Sequence, residues 1–282
     1  MSLVSMSTIL SRAEKENYGV GAFSVANMEM VMGAIQAAEE CSSPIILQVA
    51  QVRLPYSPLD LFGPLMLAAA KKAKVPVAVH FDHGLEIQAI HDALELGFTS
   101  VMIDASHLPL DQNIELVKKV KKLADRYGAS VEAEVGQLGG SEDGSVDHKM
   151  FFSDPREVKL LHEHTGVDAI ALSIGNAHGL YKDEPKLKFG ILEETKQIVQ
   201  VPLVLHGGSG ISAEDFRKCI RLGIRKINIA TANFLSVEAA AREHCREDKR
   251  DYFSLSAAMV QGMKKNVIEH IKIFQSNERA WR

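Results

Sequence analysis

Eight short apolar runs, separated by longer stretches of helical periodicity, constrain this 282-residue chain more than any other feature. The runs cover residues 20–25, 44–50, 75–83, 100–106, 130–136, 169–175, 202–207 and 226–231. Each has the length of a strand and is too short for a buried helix. Between them, apolar residues recur every three or four positions. Met28-Glu-Met-Val-Met-Gly-Ala-Ile-Gln-Ala-Ala-Glu-Glu40 and Asn113-Ile-Glu-Leu-Val-Lys-Lys-Val-Lys-Lys-Leu-Ala124 show this pattern, which is the stripe of an amphipathic helix. Alternating strands and helices imply a parallel sheet wound by right-handed crossovers. Eight such units predict a (β/α)₈ barrel with additional C-terminal helices over 237–244 and 256–274. No shift in composition marks a second domain, so residues 1–282 are read as one barrel. A doubly wound open sheet is the alternative arrangement of the same units.

Hydrophobic residues make up 46% of the chain and charged residues 24%, enough for a large core. A net charge of −4, with Lys and Arg scattered, offers no nucleic-acid surface. The densest basic run, Lys118-Lys-Val-Lys-Lys122, falls in a helical pattern and reads as a solvated face. Cys41, Cys219 and Cys245 are odd in number and lack ligand-like spacing, as expected of reduced thiols in a cytoplasmic protein. The first ten residues show no basic, then apolar, leader pattern. No run approaches the roughly 18 apolar residues of a membrane span. A soluble cytoplasmic protein without a membrane partner is expected.

Most of the runs end in polar residues: Gln48 and Gln51, Asp82-His83, Asp104-Ala-Ser-His107, Glu132-Ala-Glu134, His206, and Asn228-Ile-Ala-Thr231. Such clustering is costly as packing and expected of a catalytic face at the carboxyl ends of barrel strands. His83, His178 and His206 each precede a glycine and would converge at one mouth. Three imidazoles around an open position suit a catalytic Zn²⁺. His80, inside its strand, reads as a packing or hydrogen-bonding residue, and His107 has only its position to recommend it. Asp82 is either a general acid/base at the metal or a carboxylate orienting a ligand. Asp104 and Glu134 either serve a second or displaced metal position or anchor neighbouring loops. The glycine-rich, acidic stretch Gly136-Gln-Leu-Gly-Gly-Ser-Glu-Asp-Gly-Ser-Val-Asp147 has the length of a mobile lid. Within it, Glu142 is either a base brought in by closure or an ordinary solvated acid.

Gly207, Gly208, Ser209 and Gly210 follow the seventh run and precede a helical start at Ile211-Ser-Ala-Glu-Asp215. Glycines let backbone N–H groups approach phosphate oxygens, and Ser209 adds a hydroxyl, so the segment reads as an anion cradle. The segment Asn228, Ile229, Ala230 and Thr231 at the end of the eighth run, at the usual phosphate position of such barrels, either extends it or binds an enediolate oxygen.

Over nearly its whole length the chain resembles the class II, zinc-dependent ketose-bisphosphate aldolases of fructose and tagatose type. The resemblance lies in Phe81-Asp-His-Gly84, Val101-Met-Ile-Asp-Ala-Ser-His107, Val131-Glu-Ala-Glu-Val-Gly136 and Gly139-Gly-Ser-Glu-Asp143. It continues in Asn176-Ala-His-Gly179, Pro202-Leu-Val-Leu-His-Gly-Gly-Ser-Gly210 and Lys226-Ile-Asn-Ile-Ala-Thr231. It implies Zn²⁺ on His83, His178 and His206, with Asp104 and Glu134 at an alternative metal position. It further implies Asp82 as the acid/base at the aldehyde or hydroxyl oxygen, and Glu142 as the base for the carbon-bound proton. Gly179, Gly207, Ser209, Asn228 and Thr231 would hold dihydroxyacetone phosphate, with Na⁺ or K⁺ nearby. Sugar phosphates are the implied partners. A homodimer or homotetramer is the implied assembly, and tagatose-type members bring a companion subunit into question.

A Schiff-base aldolase would need an active-site lysine, and Lys226 starts its run at the far end of the barrel. Ala230 stands where fructose-type members tend to carry an acid, which leans toward the tagatose type. Ser256-Ala-Ala-Met-Val-Gln-Gly-Met-Lys264 lacks an arginine that many fructose-type members use for the distal phosphate, leaving Arg53, Lys264 or Lys265 for that role. The competing functions are a sugar-phosphate epimerase or isomerase with the same metal, and a non-catalytic sugar-phosphate-binding subunit.

Overall fold

A computed structural model describes residues 2–140, 149–179, 181, 185–246 and 251–281. Each of the eight runs overlaps a strand: β1 (Val20–Ser24), β2 (Ile45–Ala50), β3 (Val77–Gly84), β4 (Ser100–Ile103), β5 (Ser130–Val135), β6 (Ala169–Leu172), β7 (Leu203–Leu205) and β8 (Ile224–Ile229), with β8 starting two residues before its run. Each pairs in parallel with the next, and β8 returns to β1. The closed barrel rules out the open sheet. Around it run α1 (Met6–Glu16), α2 (Met28–Glu40), α3 (Leu59–Lys72), α4 (Ile87–Leu96), α5 (Leu110–Ala124), α6 (Pro155–Thr165), α7 (Phe189–Ile198), α8 (Ala213–Arg221), α9 (Thr231–Arg246) and α10 (Tyr252–Phe274).

Successive side chains on a strand point to opposite faces, so each strand divides its residues between two environments. Phe23, Leu47, Val79, Val101, Val131, Ile170, Leu203 and Ile227 face outward and join the helices in one apolar layer. The inward residues are graded by height. Ala22, Ile46, Ala78, Ala169 and Val204 form the floor, where they pack against Met6, Ile9, Leu10 and Ala13 of α1. Gln48, His80, Glu132 and Lys226 lie above them, then Asp82, Glu134, His206 and Asn228, all buried. The upper barrel interior is thus polar and charged, while its base is apolar.

Helix α1 is an element that the strand-and-helix count does not predict. Its apolar positions nevertheless follow the 3–4 spacing of one helical face. Ser5 caps it by accepting from Thr8 N, and Asn17 ends it in a left-handed conformation. Helices α9 and α10 both begin earlier than the predicted C-terminal stretches. Helix α10 is tied back to the start of the barrel where Gly19 N donates to Phe274 O (3.0 Å). The three cysteines form no disulfide. Among the described residues no helix is long and apolar enough to cross a membrane.

Candidate active site

Regular alternation would send Asp82 and His83 to opposite faces of the sheet. Strand β3 avoids this with a bulge. Phe81 pairs with Val101 and Gly84 with Ile103, so β3 carries one residue more than β4 across that interval. His83 adopts φ 44°, a left-handed conformation that few residues with a Cβ tolerate. Both side chains consequently reach the mouth of the barrel. Asp82 Oδ2 accepts from Gln48 Nε2 (2.9 Å), and its Oδ1 from Asn228 Nδ2 (3.2 Å). Burial pushes the Asp82 carboxyl up, but the charge of His83, the hydrogen bond of His80 and the charge of Lys226 outweigh it and hold the group well below its ordinary range.

Two carboxylates orient two of the histidines. Asp104 Oδ2 lies 2.8 Å from His83 Nδ1, and Glu132 Oε1 lies 2.7 Å from His206 Nε2. Both acids are held low: burial opposes ionisation, but their partners prevail, bringing Glu132 to about 2. An ionised carboxylate can only accept, so each of these ring nitrogens bears the hydrogen. In a neutral ring the other nitrogen then presents a lone pair. Those other nitrogens, His206 Nδ1 and His83 Nε2, face each other at 2.8 Å. Two lone pairs at that separation repel unless a cation, either a proton or a metal ion, lies between or beside them.

His178 supplies a third ring, and one ligand atom from each histidine lies within 4.8 Å of the others. Burial lowers the His178 and His206 pKa values, and so favours the neutral rings that a metal requires. The donor set fits a divalent metal ion. His83, Asp104 and Glu134 form a second group of that kind beside it. Burial, reinforced by the charge of Asp104, pushes Glu134 well above its ordinary range and favours the protonated acid.

The structure brings Asp82, Asp104, Glu134, His83, His178 and His206 to one place, as their positions at strand ends predict. His107 is exposed and stands apart. His80 is an interior hydrogen-bonder, with Nδ1 2.5 Å from Ser100 Oγ. Lys226 corrects the reading made of it. It is the third residue of β8, wholly buried, and its Nζ reaches Glu132 Oε2 at 2.8 Å. The inward direction of Asn228, two residues on, is the signal that places Lys226 inside the barrel. Glu142 lies outside the described residues.

The segment after β7 is shaped by its glycines. Gly207 has φ 61°, and a Cβ there would lie 2.1 Å from Ala177 O. Ser209 Oγ accepts from Ala232 N (2.9 Å), at the first turn of α9, which leaves its own hydrogen for an incoming acceptor. Gly208 N already donates to Asn228 O (3.0 Å), so this residue contributes closeness and not a free N–H. Ile229 is buried in the outer apolar layer, and Ala230 and Thr231 are half-buried. Two residues to which the sequence assigns no role lace this loop to the one bearing His178. Asn176 Nδ2 donates to His206 O (3.0 Å), while the Tyr181 hydroxyl accepts from Ala177 N (2.8 Å) and donates to Gly207 O (2.9 Å). Gly179, with φ 85°, lies at the open side. Of the three cations considered for a distal phosphate, Lys264 is paired with Glu40 on α2 (2.6 Å). Arg53 lies three residues beyond Ala50, the register partner of Asp82, and stacks over Phe234 at 5.3 Å.

Known proteins share this architecture. The sequence profile of the family described as fructose-bisphosphate aldolase class-II matches residues 4–279. A probable fructose-bisphosphate aldolase of Bacillus subtilis is 40% identical over 285 residues, covering 99% of this chain and all of that protein. The fructose-bisphosphate aldolase of Geobacillus stearothermophilus is 40% identical over 89% of each chain. The crystal structure of the YdjI aldolase from Escherichia coli K12 superposes with a TM-score of 0.89 at 34% identity, covering 99% of this chain and 100% of that one. The chain is therefore a member of the class II fructose-bisphosphate aldolase family.

Proposed function

We propose that this aldolase is zinc-dependent and, as one barrel domain spanning residues 1–282, reversibly cleaves a ketose 1,6-bisphosphate of tagatose or fructose type. The products are dihydroxyacetone phosphate and glyceraldehyde 3-phosphate. The observation behind the metal assignment is the 2.8 Å approach of His206 Nδ1 to His83 Nε2, whose facing lone pairs call for a cation. His83, His178 and His206 would hold Zn²⁺, with Asp104 and Glu134 as its alternative ligands. Bound there, the ion supplies Lewis-acid stabilisation of charge developing on substrate oxygens.

The chain's own groups do the remaining work. Gly207, Ser209 and the first turn of α9 at Thr231 hold the phosphate of the dihydroxyacetone half, with Gly179 at its open side. Gly208, Ile229 and Ala230 let the backbone come close, and Na⁺ or K⁺ belongs to the same cradle. Asp82, fixed by the amides of Gln48 and Asn228, gives and takes the proton at the oxygen that becomes the aldehyde. Glu142 moves the carbon-bound proton, and Arg53 receives the distal phosphate. A homodimer or homotetramer completes the proposal. Tyr252 and Phe253, 72% and 79% exposed at the start of α10, supply apolar surface for it, and sedimentation of the purified chain tests it.

Proton exchange at C3 of dihydroxyacetone phosphate in D₂O, followed by NMR, tests the chemistry. Exchange should occur with Zn²⁺-loaded protein, cease after chelation, and vanish in His206→Ala. Metal-loaded protein that exchanges no proton would reject the assignment as a stand-alone enzyme and direct attention to a companion subunit.

A further inference from the structure

Lys226 and Glu132 take no part in the reaction just described, yet they occupy the centre of the barrel. Both are fully buried, with Nζ 2.8 Å from Oε2. A buried ion pair contributes little net stability, and apolar residues of similar volume often fill such a space at least as well. Packing alone therefore leaves the pair unexplained. Its other end supplies the reason. Glu132 Oε1 accepts from His206 Nε2 at 2.7 Å, so the carboxylate bridges a lysine of β8 and a histidine at the end of β7. On its remaining side stands His80, whose Nε2 is 3.8 Å from Glu132 Oε2 and whose Nδ1 is held by Ser100. The carboxylate is thus confined to one position, with one oxygen for the ammonium and one for the imidazole.

We propose that Lys226 and Glu132 are positioning residues for the metal ligand His206. Glu132 keeps the ring hydrogen on Nε2, which aims the Nδ1 lone pair toward His83 and the metal position. Lys226 keeps the Glu132 carboxylate aligned for that hydrogen bond. The inference rests on the zinc assignment above. It adds that a charge network below the site sets its metal affinity through one ligand, His206, without itself supplying a ligand.

Zn²⁺ affinity measured by competition with a chromogenic chelator tests this, with circular dichroism to verify the fold of each variant. Glu132→Ala and Lys226→Met should each weaken binding by roughly 10–100-fold, the usual cost of removing such support from a metal ligand. Glu132→Gln, which retains a carbonyl acceptor, should recover part of the loss. A second measurement needs no variant: in ¹⁵N-histidine spectra of the Zn²⁺-loaded wild type, the hydrogen of His206 should reside on Nε2. Unchanged affinity in folded Glu132→Ala and Lys226→Met, or a His206 hydrogen on Nδ1, overturns the proposal. If the variants do not fold, the wild-type spectrum decides alone. A wild type that binds no Zn²⁺ removes the metal assignment and this inference together, whereas tight wild-type binding with unaltered variants removes only the inference.

Discussion

At the level of single residues, the two roles assigned to the site separate cleanly in Asp82. In the proposed function the carboxylate serves the aldehyde oxygen, and the enediolate half of the reaction does not pass through it. Asp82→Ala should reduce bisphosphate cleavage by about 10²–10⁴-fold, the range for a general acid/base, while C3 proton exchange of dihydroxyacetone phosphate continues. Equal loss of both activities would move Asp82 from catalysis to support of the metal site. Asp82 and the three histidines were legible in the sequence because each lies at or just past the end of an apolar run, and the histidines stand beside glycines. Glu132 and Lys226 were not. Glu132 sits two residues before Glu134 and shares its face, but from sequence only the outer acid looked accessible. Lys226 looked like the start of a strand because the apolar residue before it, Ile224, is separated from it by the charged Arg225.

Among the elements, the loops after β6 and β7 act together. The Tyr181 hydroxyl joins Ala177 N to Gly207 O, and burial pushes its pKa up to about 12, so it remains a phenol with a hydrogen to donate. Tyr181→Phe leaves both backbone groups without this partner. Both groups are only part-buried, so each lost hydrogen bond costs about 0.5–1.5 kcal/mol, and calorimetry should record a lower Tm. Steady-state kinetics should show KM for the bisphosphate rising more than kcat falls, since the metal ligands stay in place. A kcat loss without a KM change would place Tyr181 in the chemistry itself. Gly207→Ala should be the more severe change: at φ 61° its Cβ meets the carbonyl of Ala177, a backbone atom unable to yield as a side chain would. The expected result is loss of binding of inorganic phosphate, read by isothermal titration. The eight strands were legible from period and length, because apolar runs of strand length have few other uses. The bulge in β3 was not, since one extra residue in a ladder leaves the composition of the strand unaltered. Helix α1 was legible in principle, through its 3–4 spacing and Ser5 cap, but it precedes β1 and so belongs to none of the eight strand-and-helix units.

For the molecule as a whole, the buried polar interior makes stability depend on pH. Burial lowers His80, His178 and His206 in the folded metal-free chain. Below about pH 6.5 the unfolded chain binds protons that these rings refuse, so stability falls as pH drops through that range. Glu132, depressed to about 2, acts with the same sign lower down: its contribution is present above the ordinary carboxylate range and is lost as pH falls toward that value. Glu134 is raised and works in the opposite sense, its contribution fading as pH climbs through its folded value. The net expectation is a lower urea midpoint for metal-free protein near pH 5 than near pH 7.5, a window set by histidine titration. An unchanged midpoint would mean that the folded chain takes up as many protons as the unfolded one over this range. The apolar floor has a consequence of another kind, in the order of synthesis. Helix α1 leaves the ribosome well before some of its partners, which extend to Val204 on β7. At about 5–20 residues per second, its apolar stripe waits roughly 10–40 s for a floor to cover it. A helix made early stays uncovered until a late strand arrives.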